Sequence, residues 1–225
     1  MKKYELTAEF IEKWGKKLFR IKALIGFGSV EAGELGGYVE KEDNLAQNGN
    51  AWVFDDAEVY GNARVYGNAR VCGNAEVYGN AEVYGNAWVF DDAWVFDDAR
   101  VYDDAEVYGN ARVYGNAEVY GNARVCGNAE VYGNARVYDD ADYLLIGRIG
   151  SRFSFTTFFK NKDKGITVSC GCFLGTIAEF RAKVTDTHGN NKHAKMYNLA
   201  ADMAELQILG EEHFDKLNTN KSEPF

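Results

Sequence analysis

Proline, cysteine and long apolar runs are scarce in this sequence. The single proline is Pro224, so proline interrupts none of the strands predicted below. No apolar run approaches the length of a membrane span, and the N-terminus lacks the hydrophobic stretch of a signal peptide. The four cysteines include Cys72 and Cys126, which the predicted fold places three coils apart, too far for a disulfide. We therefore expect a protein of a reducing cytoplasm that makes no membrane contact.

Residues 51–140 consist of fifteen consecutive hexads of the form Ala-x-Val-(Tyr/Phe/Cys)-(Gly-Asn or Asp-Asp). Such a strict short period is typical of a solenoid. In each hexad Ala and Val alternate with charged or aromatic residues, which predicts a short strand whose Ala and Val face inward. Gly-Asn takes the positive φ of a turn, and Asp tolerates it. Because a hairpin reversal would turn the inward residues outward, the hexads predict a parallel β-helix with three hexads per coil and about five coils.

The hexads also resemble a known repeat. An aliphatic residue followed four places later by a small one, as in Val53 and Ala57, resembles the left-handed β-helix of hexapeptide-repeat proteins. The resemblance covers 90 residues and implies a triangular, mainly β solenoid. It implies no particular function, because this fold hosts both enzymes and inert scaffolds.

Three hexads per coil place residues that are eighteen apart on top of one another, at about the 4.8 Å spacing of paired strands. One outward column then alternates in charge at every rung, and a column of tyrosines runs beside it. We expect both columns to stabilise the stack through cross-strand pairs. The charged column is Arg64, Glu82, Arg100, Glu118 and Arg136, and the aromatic column is Tyr66, Tyr84, Tyr102, Tyr120 and Tyr138.

The negative charge is concentrated in the repeats. Residues 49–141 contain six arginines, no lysine and sixteen acidic side chains, a net charge of −10, whereas the whole chain has −9. This balance argues against nucleic acid as a partner of the coil. Asp-Asp corners at 91–92, 97–98 and 103–104 would suit calcium by ligand type, but they fall at three different vertices of one coil. We expect solvated corners.

Residues 1–48 precede the hexads and are predicted to form a β cap, because the open end of a solenoid exposes backbone donors and apolar core. Lys3–Leu6 and Leu18–Leu24 are predicted strands, and residues 8–17 are predicted to form a short helical turn or a loop. Together with residues 32–39 and 48–53, these segments resemble the entry module of bacterial and phage or prophage hexapeptide-repeat proteins. Some members of that family are described as transferases by analogy of fold.

Residues 143–215 are predicted to form a small α+β domain after the solenoid, which spans 49–142. We expect a hairpin of Phe153–Phe159 with Ile166–Phe173. A helix capped by Thr176 then runs to His188, and a second helix spans about 191–209. Residues 216–225 are predicted to be a flexible tail. The stretches 146–152 and 170–176 resemble a C-terminal module found with this repeat in phage and prophage proteins.

Two clusters in this domain have candidate chemistry. Cys170 and Cys172, with His188 and His193, offer four potential zinc ligands, but zinc sites usually space their cysteines by two to four residues. On a strand both thiols would face one side, which suits core packing equally well, so we expect no metal. Residues 146–152 could bind an anion through backbone amides and two arginines, but no helix follows directly, so we favour a tight turn that enters the hairpin.

A hexapeptide acyltransferase uses a histidine on its coil as the base. Here the histidines are His188, His193 and His213, none of them in the solenoid, and the hexads contain no loop insertion. We therefore expect no catalytic residue on the coil and no cofactor. The enzyme that remains as an alternative is transferase-like, with a site in the C-terminal domain at a polar pocket near Arg148, Arg152 and His188.

The function favoured by the sequence is a non-catalytic scaffold that acts by contact with an unidentified protein partner and is associated with a phage or prophage. We also expect a homo-dimer or trimer, because exposed aromatic clusters mark interfaces. The competing interpretation is that the cap or the C-terminal helices cover these rings within one chain. The candidate interface residues are Trp52, Phe54, Trp88, Phe90, Trp94 and Phe96.

Overall fold

The computed structural model describes residues 2–212, in which a β-solenoid of about six turns lies between a β cap and a C-terminal region of one sheet and two helices. The prediction of a mainly β repeat fold with these flanking parts is confirmed. The predicted tail, residues 216–225, and His213 lie outside the described residues. Within the described residues, neither helix combines the length and the hydropathy that a membrane span requires.

The cap is a three-stranded antiparallel arrangement, β1 (Tyr4–Lys13), β2 (Lys16–Ala23) and β3 (Leu35–Val39). The prediction of a helical turn or loop at 8–17 is wrong, because β1 and β2 form one long hairpin. Its two-residue turn is Trp14-Gly15, and both residues have positive φ, 52° and 75°. Positive φ at both turn positions matches the twist of paired strands. Glycine fits this turn readily, whereas tryptophan is a poor turn residue, so residue preference alone does not indicate a turn here.

The fifteen hexads form fifteen two-residue strands in three parallel sheets, each strand paired with the one three hexads away. The first, which we call the cap sheet, continues from β3 through β5 (Glu58–Val59), β8 (Glu76–Val77), β11 (Trp94–Val95), β14 (Arg112–Val113) and β17 (Glu130–Val131). The second, the tryptophan sheet, contains β4 (Trp52–Val53), β7 (Arg70–Val71), β10 (Trp88–Val89), β13 (Glu106–Val107) and β16 (Arg124–Val125). The third, the tyrosine sheet, contains β6 (Arg64–Val65), β9 (Glu82–Val83), β12 (Arg100–Val101), β15 (Glu118–Val119) and β18 (Arg136–Val137).

The register of eighteen residues is confirmed at every rung of these sheets, for example Arg64 beside Glu82 and Arg100 beside Glu118. The fifteen hexads account for five coils. The segment that begins at β3 adds a sixth turn, because Tyr38 pairs with Glu58 and Leu45 bridges to Val65. The predicted count of about five coils covers the hexads alone, and the segment from β3 precedes them.

The interior of the coil is a stack of Ala and Val. Every hexad Ala and Val is at most 1% exposed, which is the inward face that the alternation predicted. Backbone donors at the outward positions bind carbonyls of the next coil, as in Glu82 N–H to the Ala99 carbonyl at 2.9 Å. The repeated apolar pair therefore fills the core, while every coil hydrogen-bonds the next.

The corners take positive φ as predicted. Gly79 and the other hexad glycines lie between 66° and 73°, and Asp55, Asp91, Asp97 and Asp103 lie between 53° and 59°. Corner side chains also form ladders, because Asn80 Nδ2 donates to Asp98 Oδ1 of the next coil at 3.0 Å. The last Asp-Asp pair differs, since Asp139 is extended and caps a short 3₁₀ turn, Asp140–Asp142, that ends the coil.

The C-terminal region is a four-stranded antiparallel sheet with two helices against it. Phe159 lies in the solenoid core cluster, and Asn161 bridges to Ala135, so this region closes the end of the coil. The predicted hairpin and the Thr176 cap are confirmed, and the second helix follows the prediction closely, with Asn191 as its N-cap. The elements are β19 (Tyr143–Ile149), β20 (Ser154–Lys160), β21 (Ile166–Cys170), β22 (Phe173–Thr176), α1 (Ile177–His188) and α2 (Lys192–Leu209).

Candidate functional site

A cleft of about 200 Å³ opens in the C-terminal region, between the β19–β20 connection, the β21–β22 turn and helices α1 and α2. Phe173, Phe180 and Val184 form the apolar part of its lining. Its basic lining residues are Arg152 and Lys183, and none of the lining residues carries a carboxylate. In a chain of net charge −9, this is a cleft of locally positive charge.

Two of the three residues predicted for a polar pocket line this cleft. Arg152 enters from the β19–β20 connection, and His188 from the last turn of α1. Arg148 does not line it, although it precedes Arg152 by only four residues. Arg148 lies within β19 at φ 49°, where the pairing with β20 shifts register, and it is exposed. The irregular backbone therefore separates the two arginines.

Tyr197 of α2 is the most buried polar group of the cleft, with 6% of its surface exposed. Burial first, and then the neighbouring Cys170, raise the pKa of Tyr197 to about 12, against a smaller opposing effect of Arg152. Its ring packs on His188 at 5.8 Å between centroids. A Cβ at Gly150 would lie 1.8 Å from the Tyr197 hydroxyl, so only glycine fits there. Tyr197 thus fixes the β19–β20 connection against α2.

The four candidate zinc ligands do not form a metal cluster. No group of three or more metal-ligating side chains occurs in the described part of the chain. The expectation that 170 and 172 share one strand is wrong, because β21 ends at Cys170 and Cys172 is exposed in the two-residue turn before β22. Gly171 has a φ of 60° in that turn. The Cys170 thiol accepts a hydrogen bond from Thr156 Oγ1 at 3.2 Å, and His193 does not line the cleft.

A second hollow, beside the cleft, lies where the solenoid meets the C-terminal sheet. It is lined by polar groups of both parts, among them Asn110, Arg112 and Glu130 of the coil and Ser154 and Ser169 of the sheet. Glu130 N–H donates to Thr157 Oγ1 at 3.2 Å, and Arg112 lies 3.9 Å from the Glu130 carboxylate. The hydrogen bond to Thr157 joins the two parts, whereas the Arg112–Glu130 pair lies within the coil, so we interpret this hollow as a junction.

The candidate aromatic interface needs one correction. Trp52 is fully buried, because Tyr4 and Phe27 of the cap pack on it edge to face at 5.9 and 5.3 Å. The prediction that it belongs to an exposed face is therefore wrong, and the competing interpretation, cover by the cap, holds for this ring. Phe54 is half-buried and packs against the core cluster.

The other predicted rings remain at the surface to differing degrees. Trp88 is 41% exposed, and the Arg70 guanidinium lies 5.0 Å from its ring centre. Trp94 is half-buried and contacts Arg112 in the same way at 4.9 Å. The remaining two, Phe90 and Phe96, are half-buried and stack with the next coil at 4.8 and 4.7 Å. Part of this aromatic surface is therefore already used in stacking between neighbouring coils.

Helix α2 has an exposed apolar stripe. Its large side chains Leu199, Met203 and Leu206 do not belong to the core cluster of the C-terminal region. The sheet instead takes the opposite face, where Ala200, Ala201 and Ala204 are buried. The exposed stripe is Met196 (40% exposed), Leu199 (63%), Met203 (56%) and Leu206 (45%).

Sequence reasoning missed two groups of the cleft, Lys183 and Tyr197. Lys183 lies two helical turns after the capping Thr176. Its position on the cleft side of α1 becomes clear only when Phe180 and Val184 are known to be buried. Lys183 makes an ion pair of 3.3 Å with Asp186, and both side chains are largely exposed. Such a pair contributes little, so the amine stays available to a ligand.

The comparisons with known proteins support the repeat fold. A family model described as YdcK beta solenoid repeat matches residues 57–73 and 105–121, both within the hexads. No match was found among curated proteins. The matched residues confirm a repeat β-helix protein and lie outside both the cap and the C-terminal cleft.

Proposed function

We propose that this chain is a non-catalytic scaffold, associated with a phage or prophage, that binds a partner protein through the exposed stripe of α2. The single observation that carries the proposal is the spacing of Met196, Leu199, Met203 and Leu206 at i, i+3, i+7 and i+10 on one face. That spacing is the seam along which one helix packs on another. The phage association rests on the resemblance of the cap and of residues 146–152 and 170–176.

The charges beside the stripe indicate what kind of helix fits. Lys192 and Lys195 are exposed and form no ion pair within residues 2–212. The acidic groups of α2, Asp202 and Glu205, are both held by Arg181 at 2.7 Å. The free charge beside the stripe is therefore basic. The partner that we propose is a protein with an amphipathic helix whose apolar seam is flanked by acidic residues.

The solenoid supplies rigidity in this proposal. Its outward side chains are largely engaged by their neighbours in the next coil, as in Tyr84 stacked between Tyr66 and Tyr102 at 4.8 and 4.9 Å. A rigid solenoid holds the C-terminal region at a fixed distance from the N-terminal cap. In the cytoplasm of a host cell, it would sequester or inhibit the protein that binds α2.

The enzyme alternative, a transferase-like activity, would use the cleft, where Cys170 and His188 bring a thiol and an imidazole to one lining. Within the described residues no hydrogen bond joins these two groups, and Cys170 is engaged by Thr156. Nucleophilic catalysis needs the base within hydrogen-bond reach of the thiol. The cleft geometry therefore favours binding over turnover.

The test is affinity capture with three full-length proteins: wild type, the double variant Leu199→Glu/Met203→Glu, and the control Trp88→Glu on the coil. All three changed side chains are exposed, and circular dichroism checks that each variant folds. We expect one protein to be retained by the wild type and by the control but lost with the double variant. A synthetic peptide of its acidic amphipathic helix should then compete. Equal retention by the double variant, or a peptide that does not compete, would refute the proposal.

A further inference from the structure

The cleft combines an apolar floor with a basic mouth. Phe180 and Val184 are at most 4% exposed and belong to the core cluster of the C-terminal region, so the floor is rigid. Arg152 and Lys183 lie at its solvent side and are exposed. A rigid apolar floor with a few charged groups around it is the usual form of a small-molecule site.

Arg152 is not explained by any contact within the described part of the chain. Its guanidinium forms no ion pair and no hydrogen bond within residues 2–212, and no acidic residue lines the cleft beside it. Arg181 of α1, in contrast, is engaged by two carboxylates. A guanidinium prefers a planar anion that it can bind through two hydrogen bonds. The free donors of Arg152 therefore point to an anionic group supplied from outside.

The backbone that presents Arg152 is strained and held in place. Within six residues, the end of β19 and the β19–β20 connection contain three positive φ angles, 49° at Arg148, 74° at Gly150 and 49° at Phe153. Phe153 is 70% exposed, so burial of its ring does not explain this conformation. Such conformations persist where the surroundings enforce them, and they cluster at functional sites. Here the close packing of Gly150 on Tyr197 provides that enforcement.

We propose that this cleft binds a small organic anion, in which a phosphate or carboxylate group is attached to an aromatic or short aliphatic body. The body lies on Phe180 and Val184, and the anionic group binds Arg152 with Lys183 beside it. A cavity of about 150 Å³ is enough for benzene, so the 200 Å³ of this cleft admits one ring with its anionic group. The site is separate from the α2 stripe, and neither proposal depends on the other.

The experiment is a calorimetric or NMR titration of the full-length protein with four probes: phenyl phosphate, benzoate, inorganic phosphate and benzyl alcohol. We expect phenyl phosphate or benzoate to bind with a Kd of about 0.1–1 mM, as expected for ligands of this size. Which of the two binds more tightly identifies the anionic group. Inorganic phosphate lacks the body and benzyl alcohol lacks the charge, so both should bind about tenfold more weakly.

Arg152→Gln and Arg148→Gln form a matched pair for this test. Both arginines are exposed and lie four residues apart, Arg148 near the end of β19 and Arg152 in the connection that follows, but only Arg152 lines the cleft. We expect Arg152→Gln to weaken binding of the best probe about tenfold or more, and Arg148→Gln to leave it unchanged. Equal weakening by both variants would show non-specific attraction. No binding of any probe at about 10 mM, or no effect of Arg152→Gln, would also overturn the proposal.

Discussion

Glu58 and Glu76 lie side by side in the cap sheet, and Lys13 of the N-terminal hairpin contacts both carboxylates, at 2.6 and 2.9 Å. Among the strand positions of the fifteen hexads, no other rung stacks two like charges. Like charges directly opposite one another destabilise a sheet. The cap therefore supplies the cation that this rung lacks, and this contact fixes the hairpin against the side of the coil.

The first prediction concerns this contact. Lys13→Met should destabilise the protein by about 1–2 kcal/mol, because two partly buried carboxylates lose their shared partner. Replacing Glu58 by Gln in that background should recover part of the loss. The control is Lys22→Met, at an exposed position of the same hairpin, where we expect no more than about 0.5 kcal/mol. Urea denaturation followed by circular dichroism measures all three, and equal losses for Lys13→Met and Lys22→Met would contradict the prediction.

The second prediction separates backbone strain from contact between coils. Gly79 and Gly133 have nearly the same φ, 73° and 69°. A Cβ at Gly79 would lie 2.8 Å from the Asp97 nitrogen in the next coil, whereas a Cβ at Gly133 meets nothing within 4 Å. We expect Gly133→Ala to cost about 1 kcal/mol, the strain of this conformation alone, and Gly79→Ala about 2 kcal/mol. Equal losses of unfolding free energy for the two variants in urea denaturation would contradict the prediction, because they would mean that the next coil moves aside at Gly79 without a further loss of stability.

How much the sequence reveals depends on whether a feature repeats. The hexad period determines inward and outward positions of every coil at once, so the register of Arg64 on Glu82 follows from counting residues. The hairpin turn at Trp14 does not follow from local sequence, because pairing with the neighbouring strand selects that conformation.

The cleft is harder to predict for another reason. It brings together Arg152, Cys170, Lys183 and Tyr197 from four separate elements. The sequence identified Arg152 through the glycine-containing stretch 146–152, and His188 as one of only three histidines in the chain. It could not show which face of α2 meets the sheet, since small alanines are buried there while Leu199 is exposed. The apolar pattern of a helix does not settle its orientation when both faces carry apolar residues.

The third prediction uses the tyrosine ladder. Burial first, and then Glu82 for Tyr66 and Glu118 for Tyr102, raise the pKa of each hydroxyl to about 12. An unfolded tyrosine loses its proton near pH 10. Between these values the folded protein holds more protons, so the stabilisation present below about pH 10 is lost as the pH rises toward 12.

Denaturant unfolding at about pH 9 and about pH 11 measures this loss. The double variant Tyr66→Phe/Tyr102→Phe should lose less stability than the wild type over that interval. Comparing the two proteins cancels the opposite contribution of Lys3, whose pKa burial lowers to about 8. The same pH dependence in both proteins would contradict the prediction.

The fourth prediction concerns self-association. If the exposed rings around Trp88 form an interface between copies, light scattering should show a dimer or trimer at a concentration of about 10 μM or more. Trp88→Glu should then give a folded monomer, because the exposed ring sits beside Arg70 and its removal leaves the core intact. Leu199→Glu on α2 should leave the oligomer unchanged. A wild type that stays monomeric under these conditions excludes the interface.

The last prediction ranks the cysteines by how fast their thiols are alkylated in the folded protein. Burial first, and then the charges of Asp55 and Asp91, raise the pKa of Cys72 to about 11, whereas Cys172 is exposed in the turn before β22. Alkylation requires the thiolate, so at about pH 8 Cys72 should react roughly a hundredfold more slowly than an unperturbed cysteine. Asp91→Asn should accelerate Cys72 only a few-fold, since burial is the larger cause.

Mass spectrometry of peptides after timed exposure to iodoacetamide measures these rates at each cysteine. We expect Cys172 to be labelled first and Cys72 to be labelled fully only after unfolding in urea. The comparison has an internal reference, because Cys126 occupies the same column three coils away, where its Sγ lies 3.6 Å from the Tyr143 hydroxyl. Rapid labelling of Cys72 in the folded protein would mean that the tryptophan sheet opens locally, so that the ladder does not shield this thiol.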